Sequence, residues 1–356
     1  MSDPTIAHQR LANLHIAHLR ASQPVEVVRN VGAMQAQDYA GALWAIGLRA
    51  DVPEATVVEA IANHQIVRTW PMRGTLHFVA AEDAHWMLAL LTPRMIAGAA
   101  ARRRNLELDD AIFAKATTLF VKALSGGKQL TRSALLHILE EKGISTANQR
   151  GYHILGHLAQ KGVLCFGVHQ GKQPTFALLD EWVAQPRQLS REEALVELAT
   201  RYFTSHGPAT QQDLMRWAGM TATDAKLGIA GASKLAAEKI DGQEYWRPLA
   251  MPKIPSAVHE AFLLPGFDEY MLGYKDRSFA LEAAHSNKIV PGNNGMFLPT
   301  MVINGQVVGT WKRKRTTKTI SIIPTPFTPL TADQQSKVRA AAITYGTFLG
   351  LPATVA

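Results

Sequence analysis

The chain has 356 residues, of which 47% are hydrophobic and 19% charged, a composition that excludes an intrinsically disordered protein. Lysine and arginine number 37 against 29 acidic residues, and the resulting net charge of +8 favours an anionic partner, most often nucleic acid. The alternative is an excess of cations without a partner. The single cysteine excludes an internal disulfide framework, and no apolar run reaches the ~20 residues of a membrane span. The N-terminus lacks a signal-peptide pattern, so we expect a cytoplasmic protein.

Residues 1–100 combine helical patterns with one hairpin pattern. Apolar spacing predicts helices over 5–21, 24–31, 39–48, 55–63 and 81–91. Strands are predicted over 65–70 and 75–79, joined by a turn at 71–74. Helices followed by a two-stranded hairpin are typical of a winged helix, which we predict for this segment.

Two glutamines, Gln35 and Gln37, lie between the second and third predicted helices. In an extended segment the side chains at i and i+2 point the same way, whereas on a regular helix they diverge. Asp38 is a good N-cap for the helix that begins at Tyr39. The two amides can therefore converge just before the N-terminus of a helix, although a Gln-x-Gln pattern by itself means little.

Residues 101–185 predict a second winged helix more clearly. Three helices are expected over 109–124, 130–143 and 148–161, and two strands over 163–168 and 175–179. The third helix, which would lie in a groove of DNA, carries Arg150, Tyr152, His153 and His157. Lys172 lies at the tip of the wing. Contact with phosphate or a groove is the functional interpretation, and a solvated helix face is the alternative.

The rest of the chain predicts a weaker third winged helix, 186–250, and then a small β-barrel with a closing helix, 251–356. Asn304-Gly305 is a strong signal for a tight hairpin turn. Lys312 and Arg313 begin a run of four cations at a predicted strand end. This run would form a basic rim for DNA phosphates, or a charged strand edge that prevents aggregation.

Familiar catalytic patterns are missing from the sequence. It contains no phosphate-binding glycine loop and no Gly-x-Ser-x-Gly elbow. His153 and His157 have the i, i+4 spacing of zinc ligands, but the helix offers no glutamate in the HExxH position and no obvious third ligand. We therefore predict no metal and no cofactor.

Four blocks of the chain, 34–38, 67–77, 263–277 and 295–311, resemble the AlkZ/YcaQ-like winged-helix DNA glycosylases. The resemblance implies a mainly α fold with β, in which tandem winged-helix units precede a small C-terminal β-barrel. It also implies hydrolysis of the N-glycosidic bond of alkylated purines, in some family members within interstrand crosslinks. The family's catalytic Gln-x-Gln motif corresponds to Gln35 and Gln37.

The resemblance further implies a monofunctional reaction, with water positioned by the two glutamines, on double-stranded DNA that carries alkylated purines. We expect a monomer associated with the nucleoid. Arg73 is a candidate phosphate contact, and His77 either contacts the backbone or is a core histidine. Arg277 is a candidate DNA contact, although an ion pair with Asp268 is the favoured interpretation. A non-catalytic winged-helix DNA-binding or regulatory protein is the alternative function.

Overall fold

The computed structural model describes residues 4–18, 21–250 and 260–356, and these form a mixed α and β fold. The helices are α1 (Pro4–Asn13), α2 (Pro24–Val31), α3 (Tyr39–Ala50), α4 (Glu54–Ala62), α5 (Ala84–Gly98), α6 (Ala100–Asn105), α7 (Asp110–Leu124), α8 (Arg132–Glu141), α9 (Arg150–Gln160), α10 (Leu179–Trp182), α11 (Arg191–His206), α12 (Gln211–Ala218), α13 (Ala222–Gly231), α14 (Glu269–Leu272), α15 (Ser286–Ile289) and α16 (Ala332–Leu349).

The strands are β1 (Met34–Gln35), β2 (Ile66–Met72), β3 (Thr75–Ala80), β4 (Leu130–Thr131), β5 (Leu164–Phe166), β6 (Thr175–Leu178), β7 (Leu235–Ile240), β8 (Gln243–Pro248), β9 (Ala261–Leu264), β10 (Thr300–Ile303), β11 (Gln306–Arg315), β12 (Ile320–Pro326) and β13 (Ala353–Val355). The chain divides into two compact units. The first unit comprises Met1–Val58 and Leu195–Ala356, and the second unit comprises Glu59–Ala194. The four predicted modules do not coincide with this division, and their boundaries stay a prediction.

In the second unit, antiparallel strands are hydrogen-bonded in the order β3-β2-β5-β6-β4. The predicted hairpin of β2 and β3 is confirmed, but its turn is tighter than expected. Arg73 and Gly74, both with positive φ, make the turn, while Pro71 remains inside β2. The register shifts between Thr69 and Met72, and a bulge of this kind tolerates the missing N–H of a proline.

The predicted helices around the second hairpin are also observed, with changed ends. α7 begins after Asp109, whose side chain accepts a hydrogen bond from the backbone N–H of Ile112. α9 begins at Arg150, later than predicted, because Asn148 and Gln149 both have positive φ. The core between these helices and β5–β6 includes fully buried Phe120, Leu135, Ile154 and Leu164.

Helix α3 lies in the core of the first unit. Every residue from Gly41 to Ala50 is buried, as expected for a helix that is apolar all round. At Gly47 a Cβ atom would lie 2.3 Å from the ring of Phe348, so only glycine lets α16 approach this closely. The Trp44 indole N–H donates to the Leu263 carbonyl at 2.7 Å, which fastens α3 to β9.

Helix α1 is shorter than the predicted 5–21. It ends at Asn13, and His15 then adopts a positive φ. The Leu14 carbonyl, which could have continued the helix, accepts instead from the Arg49 guanidinium at 2.8 Å. The predicted last turn partly falls on residues 19–20, which lie outside the described residues.

The C-terminal strands form an open sheet in the order β13-β12-β11-β10-β9, and the described residues do not close it into the predicted barrel. The two edge strands, β9 and β13, both contact α16, so a helix covers the apolar face that a barrel would enclose. Asn304 and Gly305 both have positive φ between β10 and β11, which confirms the predicted tight turn. The predicted closing helix is confirmed as α16, capped by Thr331.

Candidate functional site

The two glutamines lie on the more exposed side of an extended segment between α2 and α3. Met34 and Ala36 are buried, whereas Gln35 is half-buried and Gln37 is exposed. Because burial alternates with the period of an extended chain, both amide side chains lie on the side away from the core. The segment begins at Gly32, which ends α2 with a φ of 90°.

Asp38 has a structural task at this site. Its side chain accepts a hydrogen bond from the N–H of Gly41 at 3.1 Å, which confirms the predicted N-cap of α3. A Cβ atom at Gly41 would lie 2.6 Å from the same carboxylate, so glycine is needed there. Asp38 is therefore directed to the helix rather than toward the side chains of Gln35 and Gln37.

A buried carboxylate that the sequence analysis missed, Glu269, contacts the backbone of this segment. Its Oε1 atom accepts a long hydrogen bond, 3.4 Å, from the backbone N–H of Gln35. Its Oε2 atom accepts from the Trp217 indole N–H at 2.8 Å and lies 3.4 Å from His206 Nε2. Trp217 also packs against Gly32, where an added Cβ atom would lie 3.4 Å from the indole ring.

The favoured ion pair between Asp268 and Arg277 is wrong. Asp268 binds Arg49 through two hydrogen bonds of 2.9 and 2.8 Å, and both side chains are fully buried. The geometry is bidentate, which a planar guanidinium makes especially well with a carboxylate. The Leu14 and Ala45 carbonyls also accept from the Arg49 guanidinium and hold it against Asp268. The Arg277 guanidinium donates instead to a backbone carbonyl.

Arg277 packs among other side chains in the same unit. Its Nε–H donates to the Met271 carbonyl, and its guanidinium carbon lies 4.8 Å from the centre of the Phe297 ring. Burial, and next the neighbouring Arg216, lower the pKa of Arg277 to about 10. Its Nη2 atom is buried and has no hydrogen-bond partner among the described residues. Direct contact of Arg277 with DNA stays a prediction that this burial does not favour.

At the β2–β3 turn, His77 supports Arg73 and does not reach the surface. The ring Nδ1 contacts the Thr75 carbonyl at 3.0 Å, so it carries the proton, and Nε2 accepts from Arg73 at 3.1 Å. Burial, and next the Arg73 charge, hold the pKa of His77 well below its usual value. Since His77 is 0% exposed, the predicted direct backbone contact is not supported.

A groove of about 440 Å³ in the second unit is lined by Arg73, Arg103, Tyr152, His153 and His157. Burial and the Arg103 charge lower the pKa of His157 to about 4, and burial and Arg102 lower that of His153. The histidines are therefore neutral near pH 7, and the positive charge of the groove comes from the two arginines. The run Arg102-Arg103-Arg104 on α6 was missed in the sequence analysis, although three consecutive arginines are a visible signal.

Two other predicted DNA contacts of the second unit have different surroundings. Arg150 is half-buried and donates to the backbone carbonyls of Ser145, Leu106 and Glu107, which ties the start of α9 to neighbouring loops. Its guanidinium is thus engaged in the protein, and its contact with DNA stays a prediction. Lys172 is exposed in the turn between β5 and β6, at the predicted wing tip.

The basic run that begins with Lys312 and Arg313 continues β11 and is exposed. Arg313 donates to the Tyr345 hydroxyl, and Arg315 lies 3.9 Å from Glu54. Lys312 and Lys314 lie on the opposite side of the strand, and their side chains make no hydrogen bond or ion pair with residues 4–18, 21–250 or 260–356. The alternation of side chains along β11 therefore separates two engaged arginines from two lysines.

Among the described residues, no three metal-ligating side chains lie close enough together to hold a metal ion. Among the described helices, none is both long enough and apolar enough to cross a membrane.

Comparison with known proteins identifies the family. The family model for the DNA glycosylase AlkZ-like proteins matches residues 28–348. The chain belongs to this family. This confirms the resemblance that the sequence blocks indicated, and it makes the chain an AlkZ-like DNA glycosylase, an enzyme class that hydrolyses the bond between a base and its sugar.

A curated relative and a solved structure that resemble this AlkZ-like chain both come from Streptomyces sahachiroi. The interstrand DNA cross-link repair glycosylase of that organism is 27% identical over 316 residues, which cover 81% of each chain. The solved structure of Streptomyces sahachiroi DNA glycosylase AlkZ has a TM-score of 0.81 and 22% sequence identity, with both chains covered completely. The structural likeness shows that the two proteins share a fold.

Proposed function

We propose that this AlkZ-like glycosylase excises alkylated purines from double-stranded DNA, with water positioned by Gln35 and Gln37. The supporting observation is the alternation of burial over 34–37, which puts both amides on the exposed side of a segment held at both ends. The name of the 27%-identical relative extends the proposal to purines joined in interstrand crosslinks.

The chemistry needs no ionisable side chain at the two glutamines. An N7- or N3-alkylated purine is cationic, so it leaves with the electrons of the C1′–N bond and becomes neutral. Water then adds to C1′ of the oxocarbenium-like sugar and loses a proton to solvent. A glutamine carbonyl can accept a hydrogen bond from that water and direct its dipole to the developing positive charge. Because no lysine nucleophile is needed, the reaction is monofunctional.

DNA contact is proposed for each unit separately. Helices α7 to α9 with β5 and β6 have the element order of a winged helix, and the arginines of the 440 Å³ groove supply charge beside α9. Lys172 at the wing tip and Lys312 on β11 are exposed cations suited to phosphates. The tandem winged-helix modules, the monomeric state and the cytoplasmic location stay predictions.

A base-release assay tests the proposal. Wild-type protein should free N7-methylguanine from methylated duplex DNA and leave an abasic strand that is cut only after alkali. Gln37→Ala should lower the single-turnover rate constant on the order of 10²-fold, because the variant no longer has this positioned dipole. Its dissociation constant for the duplex should be unchanged, since the amide contributes to the reaction and not to phosphate binding.

Gln335→Ala is the matched control, because Gln335 is an exposed glutamine on α16. It should retain the wild-type rate. Wild-type rates from Gln37→Ala would overturn the role of the glutamine. A wild-type protein that binds the duplex but releases no base would instead be the non-catalytic DNA-binding protein.

A further inference from the structure

Glu269 is a negative group enclosed in the core of the first unit, directly behind the glutamine segment. It is 1% exposed and begins α14, immediately after the Asp268 that pairs with Arg49. A carboxylate in such a place is costly unless its oxygens accept hydrogen bonds. Its described partners are the indole of Trp217, the ring of His206 and the backbone of Gln35.

The partners of Glu269 belong to one connected group of buried side chains next to the glutamine segment. His206 Nδ1 lies 2.8 Å from the Ser205 hydroxyl, and its ring stacks on Tyr202 with centroids 4.6 Å apart. Tyr202 in turn donates to the Gly273 carbonyl at 2.7 Å. These contacts hold the Glu269 side chain in place. Its Oε1 atom, which accepts from the backbone N–H of Gln35, therefore helps to position that part of the glutamine segment.

The negative charge of Glu269, in addition to its position, favours the reaction. Gln35 and Gln37 are uncharged, and each offers only a dipole to a sugar that becomes positive. A negative charge behind the segment, inside a core from which water is excluded, attracts that positive charge more strongly than it would in water. The same group can thus position one glutamine and favour the oxocarbenium-like state.

We propose that Glu269 is a positioning residue of this glycosylase, which holds the backbone of Gln35 in the reactive arrangement and places a negative charge behind the two amides. This inference rests on the proposed excision of alkylated purines. A solely structural role is the competing explanation, because buried carboxylates also stabilise loops. Asp213 is such a case, since its oxygens accept from Thr210 and from the backbone N–H of Lys275.

The test compares three variants in single-turnover release of N7-methylguanine at saturating protein. Glu269→Gln keeps the side-chain volume but removes the charge and one acceptor oxygen. We expect its rate constant to fall on the order of 10²-fold, because small displacements of reacting groups have effects of that size. The dissociation constant for the duplex should stay at the wild-type value. Asp213→Asn, the matched buried control, should keep the wild-type rate.

Trp217→Phe is the remaining variant, and it tests the positioning role of Glu269 if Glu269→Gln does not fold. It removes the indole donor to Oε2 and leaves the charge and the Oε1 contact in place, so it should slow release by a smaller factor. Hydrogen exchange gives a readout that is independent of activity. The backbone amide of Gln35 should exchange faster in Glu269→Gln and stay protected in Asp213→Asn.

The outcomes separate this inference from the proposed function. If wild-type protein releases base and Glu269→Gln stays within about threefold of it, the inference is overturned and the proposed function stands. Equal decreases in Glu269→Gln and Asp213→Asn would also overturn it, because a general structural effect would explain both. If wild-type protein releases no base, the proposed function falls and the inference falls with it.

Discussion

Asp268 and Glu269 are adjacent carboxylates with different tasks. Asp268 neutralises Arg49 across 219 positions of sequence, and its Oδ1 atom also accepts from the Tyr270 N–H at 3.0 Å. Glu269 faces Trp217 and the glutamine segment. One residue therefore stabilises the unit, and the next supports the proposed site. Substitutions at the two positions should accordingly differ in what they change.

Asp268→Asn should lower the free energy of unfolding by about 3–5 kcal/mol, because it leaves the Arg49 guanidinium buried without its counter-charge. Urea denaturation followed by circular dichroism measures this. Asp276→Asn is the control, since Asp276 is exposed and accepts from Ser278. It should shift the free energy by less than about 0.5 kcal/mol. A decrease below about 1 kcal/mol in Asp268→Asn would contradict the assigned pair.

At the scale of elements, β11 shows how a strand divides a run of cations. Its antiparallel pairing with β12 extends through Arg315, so neighbouring side chains alternate between two faces. Arg313 and Arg315 turn toward Tyr345 and Glu54, whereas Lys312 and Lys314 lie on the other face. The lysines are therefore the better candidates for binding phosphate.

Replacing Lys312 and Lys314 together by glutamine should reduce the salt dependence of duplex binding. The slope of log K against log salt should become shallower by about 1.8, because each phosphate that a lysine neutralises contributes roughly 0.9 to the slope. Fluorescence anisotropy at a series of salt concentrations measures the slope. Arg315→Gln serves as the control and should change the slope less. An unaltered slope in the double variant would remove β11 from the DNA-binding surface.

For the whole molecule, several histidines are kept neutral by the folded state. Burial is the first cause of the lowered pKa of His15, His77, His153, His157 and His169, and nearby arginines lower each of them further. In the unfolded chain the same rings take up protons below about pH 6.5. Since the unfolded state then binds more protons, acid favours unfolding.

The free energy of unfolding should therefore be greatest above about pH 6.5 and should decline as the pH falls toward 4, where His157 in the folded state also becomes protonated. Urea midpoints at pH 7.5, 6.5, 5.5 and 4.5 test this. His157→Gln should make the decline shallower, and His137→Gln, at an exposed position of α8, is the control. A midpoint that rises as the pH is lowered would contradict the sign of the effect.

The amino-acid sequence by itself determined local features such as helix caps and a tight turn. The Asp38 cap and the Asn304-Gly305 turn were predicted, and the structure contains both. It contains caps of the same kind at Asp109, Thr131, Thr221 and Thr331. Their physical cause lies within three or four residues, as when an N-cap oxygen accepts from a backbone N–H in the first turn. The family blocks added the glycosylase assignment, which the family model confirmed.

Only the tertiary structure decided the partners of the buried charged groups. Asp268 pairs with Arg49 and not with Arg277. Glu269 accepts from the backbone N–H of Gln35, and the buried His77 accepts from Arg73. The open sheet covered by α16 was equally beyond local reasoning. A buried charge must be satisfied by whichever donor the packing brings within reach, and that donor can be more than 200 residues away, where no sequence spacing records it.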